Sequence, residues 1–125
     1  MTGITLDAGA LIAVDRNDRP VLVLIARAME SGMRVTVPAM ALAQAIRNPT
    51  RQPRLSRLIR QPLADVIPLD ARHATAVGLL LAESGTSDIA GAHVAVCARN
   101  ARQPVLTSDP GDLARLAPDL RVVPL

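Results

Sequence analysis

Short apolar runs alternate with longer stretches of helical periodicity along this chain. Ile4-Thr5-Leu6 reads as a short buried strand that Asp7 ends, and a turn through Ala8-Gly9-Ala10 starts a short helix to about Val14. A polar connection, Asp15 to Arg19, leads to Pro20 in a helix's first turn. From there to Ser31 the apolar Val21, Leu24, Ile25, Ala28 and Met29 keep i, i+3, i+4 spacing, and Gly32 closes the helix. Arg34 to Val37 predicts a second strand, stopped by Pro38, and Ala39 to Arg47 a helix. Asn48-Pro49-Thr50 breaks the chain before a helix from Pro53 to about Arg60. A third strand, Asp65 to Pro68, precedes a helix from about Asp70 to Glu83, whose exit is marked by Ser84-Gly85.

The same alternation continues to the end. Thr86 and Ser87 are N-cap candidates for a helix that begins at Asp88, carries Ile89, Ala92, His93, Val96 and Cys97 on its apolar positions, and ends near Asn100. Pro104-Val105-Leu106-Thr107 is a strand cut off by Ser108-Asp109-Pro110-Gly111, which enters a helix holding Leu113 and Leu116. Leu120 to Val123 forms the last strand. Strands alternating with helices are the sequence form of a parallel sheet covered on both faces, and 125 residues predict one domain over 1–125.

Three acids stand out in that frame, because Asp7, Asp88 and Asp109 each fall where a strand passes into a helix or a helix begins. If the first strand pairs with the strand at Val105, the three converge at the carboxyl edge of the sheet, where such folds place their ligands. Carboxylates that meet there repel one another unless a cation neutralises them, and hard oxygen ligands favour Mg²⁺ or Mn²⁺. Such a site supports metal-assisted hydrolysis of a phosphodiester. Helix capping alone also accounts for each acid singly, Asp109 before Pro110 most of all.

Composition narrows the partner. Half of the residues are hydrophobic, yet none is Phe, Tyr or Trp, so a nucleic acid would be held by charge and hydrogen bonds without stacking on aromatic rings. The net charge of +3 comes entirely from arginine on the basic side, and it permits an anionic partner. Cys97 stands alone, which leaves no disulfide framework and no thiolate cluster and fits a reducing cytoplasm. With no targeting signal or membrane span in the sequence, a cytoplasmic protein is expected.

The segments ITLDAGALIA, VTVPAMALAQAIR, TSDIAGAHVA and PVLTSDPGDL, in this order and spacing, resemble those of the PIN-domain ribonucleases, and among them the VapC-like toxins of bacterial toxin–antitoxin pairs. The resemblance spans almost the whole chain. It implies a three-layer α/β/α PIN-like fold with a central parallel sheet of about five strands in the order 3-2-1-4-5. It further implies a metal-dependent endoribonuclease using Mg²⁺ or Mn²⁺, an RNA substrate, a cognate antitoxin lying over the acidic site and an apolar groove near it, and a homodimer. Asp7, Asp88 and Asp109 match three of the family's four acidic, metal-holding positions.

At the fourth position, where the family carries a Glu, this chain has Gln44. Gln44 offers a carbonyl oxygen but no charge, so a catalytically weak protein that still binds RNA or an antitoxin is the alternative reading. Ala41 and Ala43 supply no ligand, which leaves Glu83 and Asp112 as the acids able to compensate. Arg47, Arg51, Arg54, Arg57 and Arg60 recur every three or four residues opposite Leu55, Leu58 and Ile59, as either a solvated face or an RNA-binding one. His73 and His93 have apolar neighbours and read as packed or surface residues. A phospho-acceptor domain built on a strand-end Asp would require a lysine, and the chain has none.

Overall fold

In the computed structural model, which describes residues 3–125, five strands form one all-parallel sheet. They are β1 (Gly3–Leu6), β2 (Arg34–Pro38), β3 (Ala64–Ile67), β4 (Val105–Thr107) and β5 (Val122–Pro124), in the spatial order β3-β2-β1-β4-β5. Seven α-helices connect them and cover both faces: α1 (Ala8–Asp15), α2 (Arg19–Glu30), α3 (Ala39–Ala45), α4 (Pro53–Ile59), α5 (Ala71–Ser84), α6 (Ile89–Ala101) and α7 (Pro110–Leu116). This is the PIN-like arrangement implied by the resemblance. Every expected strand and helix is present, with ends displaced by one to three residues, as helix fraying and loop chemistry dictate.

The central strand is buried throughout, as is β4. Within β1, Gly3, Ile4 and Thr5 pair with Arg34, Val35 and Thr36 on one side while Thr5 and Leu6 pair with Val105 and Leu106 on the other. A strand buried on both faces cannot alternate polar with apolar residues, so its one polar side chain needs an internal partner. Thr5 finds it in Gln103, whose Oε1 accepts from Thr5 Oγ1 at 2.8 Å. α6 packs on β1 and β2, and its Ala92, Val94, Ala95, Val96 and Ala98 join Leu6, Leu11, Val35, Val37 and Leu106 in one aliphatic core.

The break expected at Asn48-Pro49-Thr50 divides the arginine series between elements. α3 stops at Ala45, Pro49–Arg51 forms a 3₁₀ turn, and only Arg54 and Arg57 of the arginine series lie within α4. Proline at 49 and 53 removes two backbone donors and forbids one continuous helix. Buried Gln52, which no sequence pattern marks, organises this bend. Its Oε1 accepts from the N–H of Arg47 at 2.9 Å and of Asn48 at 3.1 Å, and its Nε2 donates to the Ala45 carbonyl at 2.9 Å. Among the described residues no helix is long and apolar enough to cross a membrane.

Candidate active site

Three helices begin at the carboxyl edge of the sheet, each capped by one of the aspartates singled out above. Asp7 leaves β1 in an extended conformation and its Oδ1 accepts from the N–H of Ala10 at 2.8 Å, capping α1 directly without the expected intervening turn. Asp88 caps α6 through Gly91 N–H at 2.9 Å, and Asp109 caps α7 through Asp112 N–H at 3.1 Å. The capping role is therefore realised at all three, yet each cap uses one oxygen, Oδ1, which leaves Oδ2 of Asp7 and Asp88 outside the cap, while the Asp109 carboxylate also interacts with that of Asp112.

All three line one cleft of about 160 Å³ together with Gln44, Asp112 and Ser108. Among the described residues no Arg lines it. The positive ends of the three helix dipoles point at these carboxylates and moderate their mutual repulsion. Asp7 is half-buried, whereas Asp88, Asp109 and Asp112 are exposed. Crowding shows at Asp112, whose carboxyl is held above the usual carboxylate range by hydrogen bonding with Asp109, then by the charges of Asp109 and Asp88, and is relieved in part by Arg115. Arg115 Nη2 lies 3.0 Å from Asp112 Oδ1 on the wall of an adjoining depression that includes Thr86 and Ser87.

Two glycines make this proximity possible. A Cβ on Gly91 would run into the Asp88 carboxylate, with Cγ at 2.9 Å, and would also press on Leu116 Cδ1 at 3.1 Å. A Cβ on Gly9 would collide with the Ser108 side chain, whose Cβ is 2.6 Å away. Both glycines thus keep open a polar hollow that alanine would fill.

Gln44 is exposed on α3 and its side chain makes no hydrogen bond with a described residue. The structure also adds a fourth carboxylate, Asp112, whose position one turn into α7 turns it toward Asp109 and the cleft. Sequence spacing carried that signal, since i and i+3 share a helix face. The arginine series lies elsewhere: none of Arg47, Arg51, Arg54 and Arg57 lines the acidic cleft. Arg54 and Arg57 instead rim an apolar groove of about 500 Å³ between α2 and α4, floored by Leu22, Ile25, Met29 and Leu58.

No family model matches this chain, and no curated protein matches it in sequence. Solved structures do. VapBC2 from Rickettsia felis bound to a DNA fragment from its promoter superposes with a TM-score of 0.69 at 13% identity, covering 98% of this chain and 98% of the other. FitAB bound to an IR36 DNA fragment gives 0.65 at 18% identity over 97% of this chain and 94% of the other. FitAcB from Neisseria gonorrhoeae gives 0.63 at 22% identity over 95% of each chain. At these identities the likeness establishes a shared fold over nearly the full length, the PIN-like α/β architecture.

Proposed function

We propose that this protein is a metal-dependent endoribonuclease that acts as the toxin of a toxin–antitoxin pair. The observation that carries the reading is the convergence of Asp7, Asp88, Asp109 and Asp112 in one cleft without a basic side chain, at the strand ends where this fold class places its ligands. Carboxylate and amide oxygens are the donor set of a hard divalent cation, and the oxygens of Asp7 and Asp88 outside their caps, with the Asp109–Asp112 pair, suit Mg²⁺ or Mn²⁺. When bound, such an ion supplies an activated water and stabilisation of charge on the phosphate.

The protein's own contribution is placement. The caps fix Asp7, Asp88 and Asp109 on rigid helix starts, and Gly9 and Gly91 leave room for a scissile phosphate to approach. Arg115, with a side chain 75% exposed at the edge of the cleft, is placed to hold an adjacent phosphate of the RNA. An apolar segment of the cognate antitoxin fits the groove between α2 and α4, whose rim is basic at Arg54 and Arg57. VapBC2 and FitAB, the structural relatives, are protein pairs bound to DNA fragments, which supports a partner of that kind.

A catalytically weak RNA- or antitoxin-binding protein is the second reading, favoured by Gln44 in the cleft. Incubation with structured RNA across a titration of Mg²⁺ and Mn²⁺, with an EDTA control, separates the two. Metal-dependent cleavage lost on chelation supports the nuclease, and binding without cleavage at any metal concentration supports the second reading.

A further inference from the structure

The acidic cleft is not the tightest cluster of metal-ligating groups. Among the described residues, three side chains alone bring their ligand atoms all within 4.8 Å of one another: His73 on α5, and His93 and Cys97 on α6. They share no residue with the cleft. His93 and Cys97, four residues apart, lie on one face of α6, five and nine residues beyond Asp88, about 7 and 13 Å along the helix axis. The two sites are therefore separate.

The imidazoles meet edge to face, with ring centroids 5.4 Å apart and Nδ1 of His73 3.2 Å from Nε2 of His93. His93 is 0% exposed, its Nε2 is the nitrogen turned to His73, and no side chain pairs with its Nδ1. Two imidazole nitrogens bound tetrahedrally to one Zn²⁺ stand about 3.3 Å apart, which the observed pair already satisfies. A thiolate on the same ion sits about 3.6 Å from each nitrogen, so the trio, whose ligand atoms already lie within 4.8 Å of one another, closes on an ion with a sulfur shift of at most about 1 Å.

We propose that His73, His93 and Cys97 form a second metal centre, specific for Zn²⁺ or a similar borderline-soft divalent ion, that fastens α5 to α6. Two nitrogens and one sulfur exclude Mg²⁺ as a competitor and leave the fourth tetrahedral position open. That position faces a cavity of about 390 Å³ lined by His73, Cys97, Thr36, Asp65 and Ile67, through which the ion and a water ligand enter. Arg34 in this cavity is held by Asp65 at 2.6 Å, so its charge is compensated before the cation arrives. Binding replaces the thiol proton of Cys97, which leaves to solvent as the sulfur–metal bond forms.

Cobalt titration of the reduced, purified protein tests this. The chain has no aromatic residue, so the near-ultraviolet is clear for a thiolate-to-cobalt charge-transfer band. The expected result is that band, with tetrahedral visible bands, saturating at one ion per chain, displaced by Zn²⁺ and not by Mg²⁺. His73→Ala, at a half-exposed position, should weaken binding by more than about tenfold with unchanged far-ultraviolet circular dichroism. Asp7→Asn should leave the band intact, which keeps this result independent of the nuclease reading. Absence of the band in the wild type, or a band equally strong in His73→Ala and His93→Ala, would overturn the proposal.

Discussion

The backbone N–H of Asp7 donates to the carbonyl of Leu106 at 3.2 Å, so the residue that leaves β1 is tied to the strand that delivers Asp109. The same ladder continues from Thr5 N–H to the Pro104 carbonyl at 2.9 Å. A slip of this register would carry Asp7 away from the end of β4 and would break the buried hydrogen bond from Thr5 to Gln103. The position of one acid relative to another is thus a property of the core. Thr107, whose Oγ1 accepts from Asp109 N–H at 2.9 Å, completes the link.

Substitutions at Asp7 separate its two roles. Asp7→Asn keeps an oxygen for the Ala10 N–H and removes the charge, so metal-dependent RNA cleavage should vanish while metal-free stability stays level or rises. Asp7→Ala should lose cleavage and also about 1 kcal/mol of stability with the cap. Melting curves beside a cleavage assay measure both. Wild-type cleavage by Asp7→Asn would remove Asp7 from the site.

Gly91→Ala should damage the site far more than the fold. Alanine improves a helix by about 1 kcal/mol over glycine, which offsets most of the loss when the new Cβ pushes Asp88 out of its cap. The melting temperature should therefore move little while Mn²⁺ affinity falls at least about fivefold, as titration calorimetry would read. Unchanged affinity would mean that Asp88 binds no metal from this rotamer.

Much of this was readable from the chain because the signals are local. Asp before a helix start, Pro110 after Asp109 and the apolar triplet at Ile4 each declare their element within a few residues. Gln52, Gln103 and the His73–His93 contact were not readable, since each depends on a partner that folding supplies, 98 residues away for Thr5 and Gln103. The break at Asn48-Pro49-Thr50 and the helix start at Pro53 were legible for the same local reason, because proline ends one helix and opens the next.

The sheet edge carries a pH-dependent tie. Arg34 on β2 holds Asp65 on β3 through two contacts, Nε–Oδ2 at 2.6 Å and Nη2–Oδ1 at 2.8 Å, and this hydrogen bonding keeps the Asp65 carboxyl below the usual range despite some burial. A depressed acid stabilises the fold above its unfolded value, about 3.8, and that stabilisation is lost as pH falls through the lower folded value. Arg34→Gln should therefore be less stable than wild type at neutral pH, and the gap should close below about pH 3.8. A gap independent of pH would exclude the ion pair as its cause.

Arginines at the α2–α4 groove should act on RNA by charge alone. Arg54→Ala with Arg57→Ala should weaken RNA binding and flatten its salt dependence by about two phosphate contacts, leaving metal affinity unchanged. Binding measured across a salt series checks this. Full RNA affinity in the double variant would leave these arginines to the antitoxin groove.

Gln44 tests how the cleft balances charge. It lines the same cleft as Asp7, Asp88, Asp109 and Asp112, so Gln44→Glu adds a fifth carboxylate at nearly constant volume. Because Gln44 is exposed, solvent screens the new charge, and its attraction to a divalent ion is worth about 1–2 kcal/mol, roughly a five- to thirtyfold gain in affinity. Without metal the same charge joins a cleft where the Asp112 carboxyl already sits high through crowding by Asp109 and Asp88, so the metal-free protein should melt lower. The opposite signs separate a site residue from a surface one, because an added surface charge has no reason to reverse its effect when Mn²⁺ is present. Calorimetric titration of Mn²⁺ and melting curves with and without the ion give both quantities. Should neither move, Gln44 faces the cleft without influencing its charge, and Asp112 alone supplies the fourth carboxylate.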